Sequence, residues 1–131
     1  MTQLVVGAII VDSLPHPTRI LAARRSQPAE LRGQWEFPGG KVEPDETPQQ
    51  ALVRELQEEL SVRIVVGEEV GEWPINEHLQ LLLHLAEITE GNPTAGEDHD
   101  EVRWLATHEL DQVDWLPTDA AALPALTKAI G

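Results

Sequence analysis

The chain alternates between short, almost purely apolar runs and polar segments rich in proline, glycine and acid. Leu4–Val11 is a nearly unbroken apolar run rich in Val and Ile, the pattern of a strand covered on both faces. Two prolines in Asp12–Arg19 mark a turn, and Ile20–Arg24 predicts the returning strand. Ser26–Gln34 reads as a loop. Trp35–Phe37 predicts a short strand that stops at Pro38-Gly39-Gly40. Thr47 is a candidate N-cap with Pro48 at the first helical position, so a helix is predicted from there to about Leu60. Val62–Val70 and Leu79–Ile88 predict two further strands, separated from a short strand at Glu101–Leu105 by the polar loop Thr89–Asp100. Thr107–Leu110 reads as a helical turn, and Thr118–Ile130 as a final helix disturbed by Pro124. There is no internal repeat. Strands interleaved with two helices indicate an α/β or α+β sandwich.

Length and composition narrow this picture. At 131 residues the chain predicts one domain, 1–131, able to bury a core without staples. It has no cysteine, which excludes disulfides, thiolate metal sites and cysteine nucleophiles and suits a reducing compartment. The opening "MTQLVVGAIIVD" has no basic lead-in, and no stretch is long enough to span a bilayer. The expectation is a cytoplasmic protein with no membrane partner. A net charge of −14 disfavours nucleic acid polymers and anionic lipid, whose phosphates need Lys and Arg. Clustered acids would instead attract divalent cations, which can carry a phosphate-rich ligand.

The predicted helix holds such a cluster. At 100° per residue, Leu52, Val53, Leu56 and Leu60 share one arc of roughly 100°. Glu55, Glu58 and Glu59 share the neighbouring arc, where i, i+3 and i+4 spacing brings carboxylates together. A solvated acidic face is one reading. Like charges on one stripe cost a few tenths of a kcal/mol per pair, however, and sit at the wrong end of the helix macrodipole. Both penalties favour a compensating cation, and oxygen-only ligands suit Mg²⁺, Mn²⁺ or Ca²⁺ better than zinc. Gly39-Gly40 offers a backbone without Cβ that can approach a ligand closely, or simply a turn. Arg54 points to a different side of the helix and can pair with Glu46 or Glu43 to lock the loop.

From Gly40 the chain reads G-x₅-E-x₇-R-E-L-x-E-E-x-S-V, which resembles the Nudix box over residues 40–62. Gly40, Glu46, Arg54, Glu55, Leu56, Glu58, Glu59 and Val62 match it. Ser61 replaces a glycine that ends the helix, so a looser C-cap is expected. "LRGQWEFPGGKVEPDET" is similar to the MutT-type branch of nucleoside triphosphate pyrophosphohydrolases. "DQVDWLPTDAAALPAL" is similar to the end of that branch's cytidine-nucleotide enzymes. Together these cover nearly the whole chain, most weakly between Gly67 and His78.

The resemblance implies a Nudix-type α/β/α sandwich with a mixed central sheet. It implies hydrolysis of a nucleoside triphosphate to a monophosphate and pyrophosphate, in nucleotide-pool sanitising linked to DNA repair. It implies Mg²⁺, or Mn²⁺, held by Gly40, Glu55, Glu58 and Glu59, with Glu55 first candidate for the general base and Glu46 paired with Arg54. One more acid is expected from Glu97, Asp98, Asp100 and Glu101. Glu101 is preferred by its spacing to Trp104, while Asp98-His99 resembles the cytidine branch; any of the four can also be a solvated loop acid. Arg25 and Lys41 are candidate phosphate contacts or surface cations. Phe37 or Trp35 is a candidate to stack on the base or to fill the core; Trp104 and Trp115 read as packing residues. Asp119 matches the position that meets the base edge, where a carboxylate accepts from cytosine N4, or it caps the last helix. Cytosine nucleotides (dCTP, CTP or modified dCTP) are preferred. 8-Oxo-dGTP is the alternative, ADP-ribose and dinucleoside polyphosphates rank lower, and a catalytically silent nucleotide-sensing regulator is the reading from another class. Monomer and homodimer both remain open.

Overall fold

The computed structural model describes residues 2–130. Strand β1 (Gln3–Val11) runs parallel to β6 (Leu79–Glu90) along its whole length, from Gln3 opposite Leu79 to Val11 opposite Glu87. On its other side β1 pairs antiparallel with β4 (Gly39–Lys41), and β5 (Arg63–Pro74) closes the far edge antiparallel to β6. A second group, β2 (Arg19–Arg25) between β3 (Trp35–Glu36) and β7 (His99–Ala106), is antiparallel throughout and meets β1 at the single pair Val11 and Ile20. The sheet is therefore mixed.

Helix α1 (Pro48–Leu60) covers one face of the sheet and helix α2 (Pro117–Ile130) the other. The alternation of β1 explains its continuous apolar run. Val6, Ala8 and Ile10 pack with Leu52, Leu56 and Leu60 of α1, while Ile9 and Val11 pack with Ala122 and Leu126 of α2. Both faces are dry, so neither set of side chains can be polar. The expected α/β/α layering with a mixed sheet is the observed one. Among the described residues no helix is long and apolar enough to cross a membrane.

Helix α1 begins and ends where local chemistry places it. The Thr47 side chain accepts from the Gln50 amide, the Gln50 side chain accepts in return from the Thr47 amide, and Pro48 opens the first turn. Its apolar face differs from the predicted arc: Val53 is exposed and Ala51 buried, so the buried stripe is rotated toward Glu59. Ser61 closes the helix tightly rather than loosely, in the left-handed conformation (φ 58°, ψ 38°) that the missing glycine would adopt, with its amide on the Gln57 carbonyl. A Cβ in that region costs about 1–2 kcal/mol, part of it recovered by the stiffer unfolded chain. Ser61→Gly should therefore stabilise the protein by about 0.5–1 kcal/mol and raise its thermal midpoint by roughly 2–4 °C. A melting curve at or below the wild type's would show that Ser61 carries no strain.

Several predicted boundaries moved, including the end of β6 from Ile88 to Glu90. Strand β5 continues past Val70 to Pro74, because register shifts around Val66, Glu69 and Gly71 break its alternation. Strand β7 starts two residues early, at His99. Gly39 and Gly40 belong to a strand instead of a turn, and neither has positive φ. They are glycines because of close approach: a Cβ on Gly39 would overlap the Val6 carbonyl oxygen, and one on Gly40 would overlap the Glu55 carboxyl. Helix α2 runs through Pro124 without a break.

Candidate active site

Strand β4 separates two chemically different regions. On one side lie the glutamates of α1, on the other a cavity of about 540 Å³. Its size suits a small-molecule ligand.

On the acidic side, Arg54 organises the loop between β4 and α1. Its Nε and Nη2 grip Glu46 with two bonds of 3.1 and 2.7 Å, and Nη2 also donates to the Lys41 carbonyl at 3.1 Å. Glu43 lies 3.8 Å from the same nitrogen. The guanidinium holds the Glu46 carboxyl below its ordinary range, and that carboxyl raises the basicity of Arg54 further. Both expected loop partners of Arg54 are thus engaged.

Contrary to the angular reading, Arg54 also turns toward its own helix. Its Nη1 meets Glu55 Oε1 at 2.8 Å and Glu58 Oε2 at 3.3 Å. Arg54 thus occupies one oxygen of each of two of the three glutamates. Among the described residues no three His, Asp or Glu side chains form a group that could cage an ion. Glu58 is drawn outward and stays exposed, whereas Glu55 is half-buried with its carboxyl against the Gly40 Cα. Burial pushes the Glu55 carboxyl up, opposed by Arg54.

Glu59 differs from both. It is largely buried, and its Oε2 is sealed from solvent with no hydrogen-bond partner. Burial first, then the charges of Glu36, Glu55 and Asp98, push its pKa up to about 8 against the opposing pull of the Gly39 amide. A sealed, partnerless carboxylate oxygen among other acids is costly unless something positive meets it. Together with a second carboxylate resting on a glycine backbone, it makes a hard oxygen donor set that fits a divalent cation.

The cavity gathers Arg25, Phe37, Lys41 and Asp119, each chosen from the sequence, between the apolar side chains Leu79, Leu81 and Leu116. Asp119 sits at the third position of α2 and does not cap it. Its Oδ2 accepts the Phe37 amide at 2.9 Å, and burial followed by the nearby Glu36 charge pushes its pKa up to about 7. Phe37 is mostly core, its ring 4.8 Å from that of Trp115, but part of it lines the cavity. Trp35 is buried against that core and is not part of the wall. Trp115 is buried in the same core, and Trp104 packs against the core on the α1 face.

Glu101 lies elsewhere. Its carboxylate pairs with Arg24 at 3.4 Å and with Arg103 at 3.0 Å on the outer face of β7. The β2–β7 register shifts between Arg24 and Arg25, so Arg24 faces Glu101 and Arg25 faces His99. That irregularity sends Asp100 and Glu101 to Arg24 and leaves Asp98 as the loop acid whose charge bears on Glu59.

Glu36 went unnoticed in the sequence. It lines the cavity, and its Oε2 receives Arg25 Nη1 at 3.2 Å and His99 Nε2 at 2.7 Å. The available signal was an acid between two aromatic residues in a strand otherwise made for the core.

Comparison with known proteins identifies the family. The NUDIX domain family model matches residues 1–127. The chain is 37% identical to a protein of Mycobacterium tuberculosis named putative 8-oxo-dGTP diphosphatase 2, over 99% of this chain and 92% of that one. It is likewise 37% identical to the CTP pyrophosphohydrolase of Escherichia coli, over 95% of this chain and 92% of that one. The crystal structure of a MutT NUDIX hydrolase from Burkholderia pseudomallei superposes with a TM-score of 0.82 at 28% identity, covering 96% of this chain and 98% of that one. With its fold, its box and its relatives in agreement, the chain belongs to the Nudix hydrolase family.

Proposed function

We propose that this enzyme is a divalent-metal-dependent nucleoside triphosphate pyrophosphohydrolase that prefers cytosine nucleotides: dCTP, CTP or modified dCTP. The observation that carries the reading is the shared strand β4. It forms a wall of the cavity that holds Asp119 and Phe37, and it also packs against Glu55. A nucleoside triphosphate has the matching polarity, with a flat base at one end and anionic phosphates at the other. Its base would lie against Phe37 with an exocyclic amine toward Asp119, and its phosphates would follow Lys41 and Arg25 toward Gly40.

The Gly40 carbonyl, Glu55 and Glu59 would hold the cation, with Glu58 released from Arg54 to join them and Asp98 in the place expected of Glu101. When bound, such a cation neutralises phosphate charge and lowers the pKa of an adjacent water. Glu55 is the proposed general base. The water oxygen bonds to phosphorus, the anhydride P–O bond breaks, pyrophosphate leaves, and the water's proton passes to Glu55. Arg54 orients that carboxylate from its far side.

The relative named CTP pyrophosphohydrolase supports the cytosine preference. An 8-oxo-dGTP diphosphatase is the second reading. It is supported by the mycobacterial relative and by the pKa of Asp119, about 7, because the protonated acid can donate to a purine acceptor where the carboxylate cannot.

A panel of nucleoside triphosphates with Mg²⁺, scored for pyrophosphate, tests both readings. Turnover should be highest with a cytosine nucleotide and lost in Glu55→Gln. If no triphosphate is hydrolysed, or Glu55→Gln changes nothing, the enzymatic reading fails; nucleotide binding without turnover would then favour a sensor. Asp119→Ala should lower the ratio of dCTP to dGTP turnover about tenfold, the worth of one buried hydrogen bond. An unchanged ratio removes Asp119 from base reading.

A further inference from the structure

His99 is fully buried at the start of β7, a position that an apolar side chain could fill without leaving a polar atom to satisfy. It carries a penalty there, because Nδ1 is sealed from solvent with no partner. A leucine would avoid that penalty, so the imidazole must be explained by its other nitrogen. Nε2 lies 2.7 Å from Glu36 Oε2, a carboxylate that can only accept, so Nε2 carries the proton and donates. Arg25 Nη1 donates to the same oxygen at 3.2 Å. Both grips fall on Oε2, and no hydrogen bond engages Oε1 among the described residues, while Glu36 lines the cavity. The charge of Glu36 is felt by both Asp119 and Glu59. The chain preceding His99 is pinned as well: Ser26 donates to the Asp98 carbonyl at 2.9 Å through its amide and to the Glu97 carbonyl at 2.8 Å through its hydroxyl.

We propose that His99 is a positioning residue for the nucleotide site, holding the Glu36 carboxylate between the base-facing Asp119 and the cation-facing Glu59 while presenting its free oxygen to the cavity. Without the imidazole, Arg25 alone holds Glu36, and the side chain can swing into space the substrate needs. The loss falls on binding and base choice. Glu55 rests on Gly40 and Arg54 and does not depend on this bond.

The kinetic readout rests on the proposed pyrophosphohydrolase activity, and a binding readout does not. A glutamine amide nitrogen reaches the place of Nε2, whereas that of asparagine falls short. His99→Asn and His99→Leu should raise KM for the preferred triphosphate about tenfold and flatten base preference, with kcat within about threefold of wild type. His99→Gln should recover most of the loss. His99→Leu combined with Glu36→Gln should be no worse than Glu36→Gln alone, because the two act as one unit. Calorimetry with α,β-methylene CTP and Mg²⁺ should give the same ranking. Should His99→Leu fail to fold, the Gln and Asn variants carry the comparison. Equal behaviour of Gln and Asn, independent multiplication of the Leu and Glu36 losses, or a wild-type KM in folded His99→Leu each overturns the proposal. A wild type that binds the analogue without hydrolysing any triphosphate overturns the activity and leaves His99 to be judged by binding.

Discussion

Replacing Glu59 by glutamine should give a protein that is harder to melt and far slower to turn over nucleotide. The carboxylate ionises near 4.5 in an ordinary setting and near 8 in the folded protein. Between those values the folded chain binds more protons than the unfolded one, so stability falls as the pH rises and levels off above about 8. Asp119 adds a slope of the same sign between 3.8 and about 7. At pH 8 without divalent cations, Glu59→Gln removes most of the first contribution, on the order of 2–4 kcal/mol, and should raise the thermal midpoint by roughly 10 °C. Turnover should fall by more than about 10–100-fold, the loss on removing an outer-shell partner of a metal ligand, since Glu59 is proposed as a ligand itself. Magnesium supplies the cross-check. An ion that takes the carboxylate must displace its proton, so Mg²⁺ should raise the wild-type midpoint little at pH 6 and clearly at pH 8.5. Glu59→Gln should show little response at either pH. An equal Mg²⁺ response in both proteins would remove Glu59 from the cation site.

The residues that were readable from the sequence are those whose neighbours are local or periodic. Thr47 and Pro48 fixed the start of α1 through chemistry within three residues, and the alternation of β1 announced a strand buried on both faces. The cavity residues Arg25, Phe37, Lys41 and Asp119 were reached through the family resemblance, since 94 positions separate the first from the last. Glu36 was not reachable by either route. Its partners Arg25 and His99 lie 11 and 63 positions away, and one carboxylate between two aromatics has no periodicity to reveal it. Glu101 pairs with Arg24 and Arg103, away from Glu59, for a related reason. A register irregularity decides which acid turns toward Glu59, and such a shift has no signature in spacing. Helical angles place Glu55, Glu58 and Glu59 on one arc but do not show that a long flexible arginine reaches across to Glu55 and Glu58.

The reach of Arg54 has a functional consequence, and Arg54→Leu should show it. One guanidinium bonds to Glu46, Glu55, Glu58 and the Lys41 carbonyl, with Glu43 alongside, so a single side chain joins the end of β4 and the loop that follows it to the helix that carries the glutamates. Exposed ion pairs contribute little each, and Glu43 and Glu58 are of that kind. The Glu46 fork and the Glu55 bond are shielded, and their loss frees a carboxylate proposed to take the water's proton. A displacement of about 1 Å at such a group costs on the order of a hundredfold in rate, so kcat should fall roughly 10–100-fold while KM changes less. Arg54→Lys keeps the charge but has no fork to hold Glu46 and Glu55 together, and should recover little of the loss. Hydrogen exchange separates this from general unfolding: amides of residues 41–47 should exchange faster in both variants, with those of β1 and β6 unchanged. If Arg54→Lys works as well as arginine, or Arg54→Leu keeps its rate, the fork is not what orients Glu55, and the packing of its carboxyl against Gly40 must be sufficient alone.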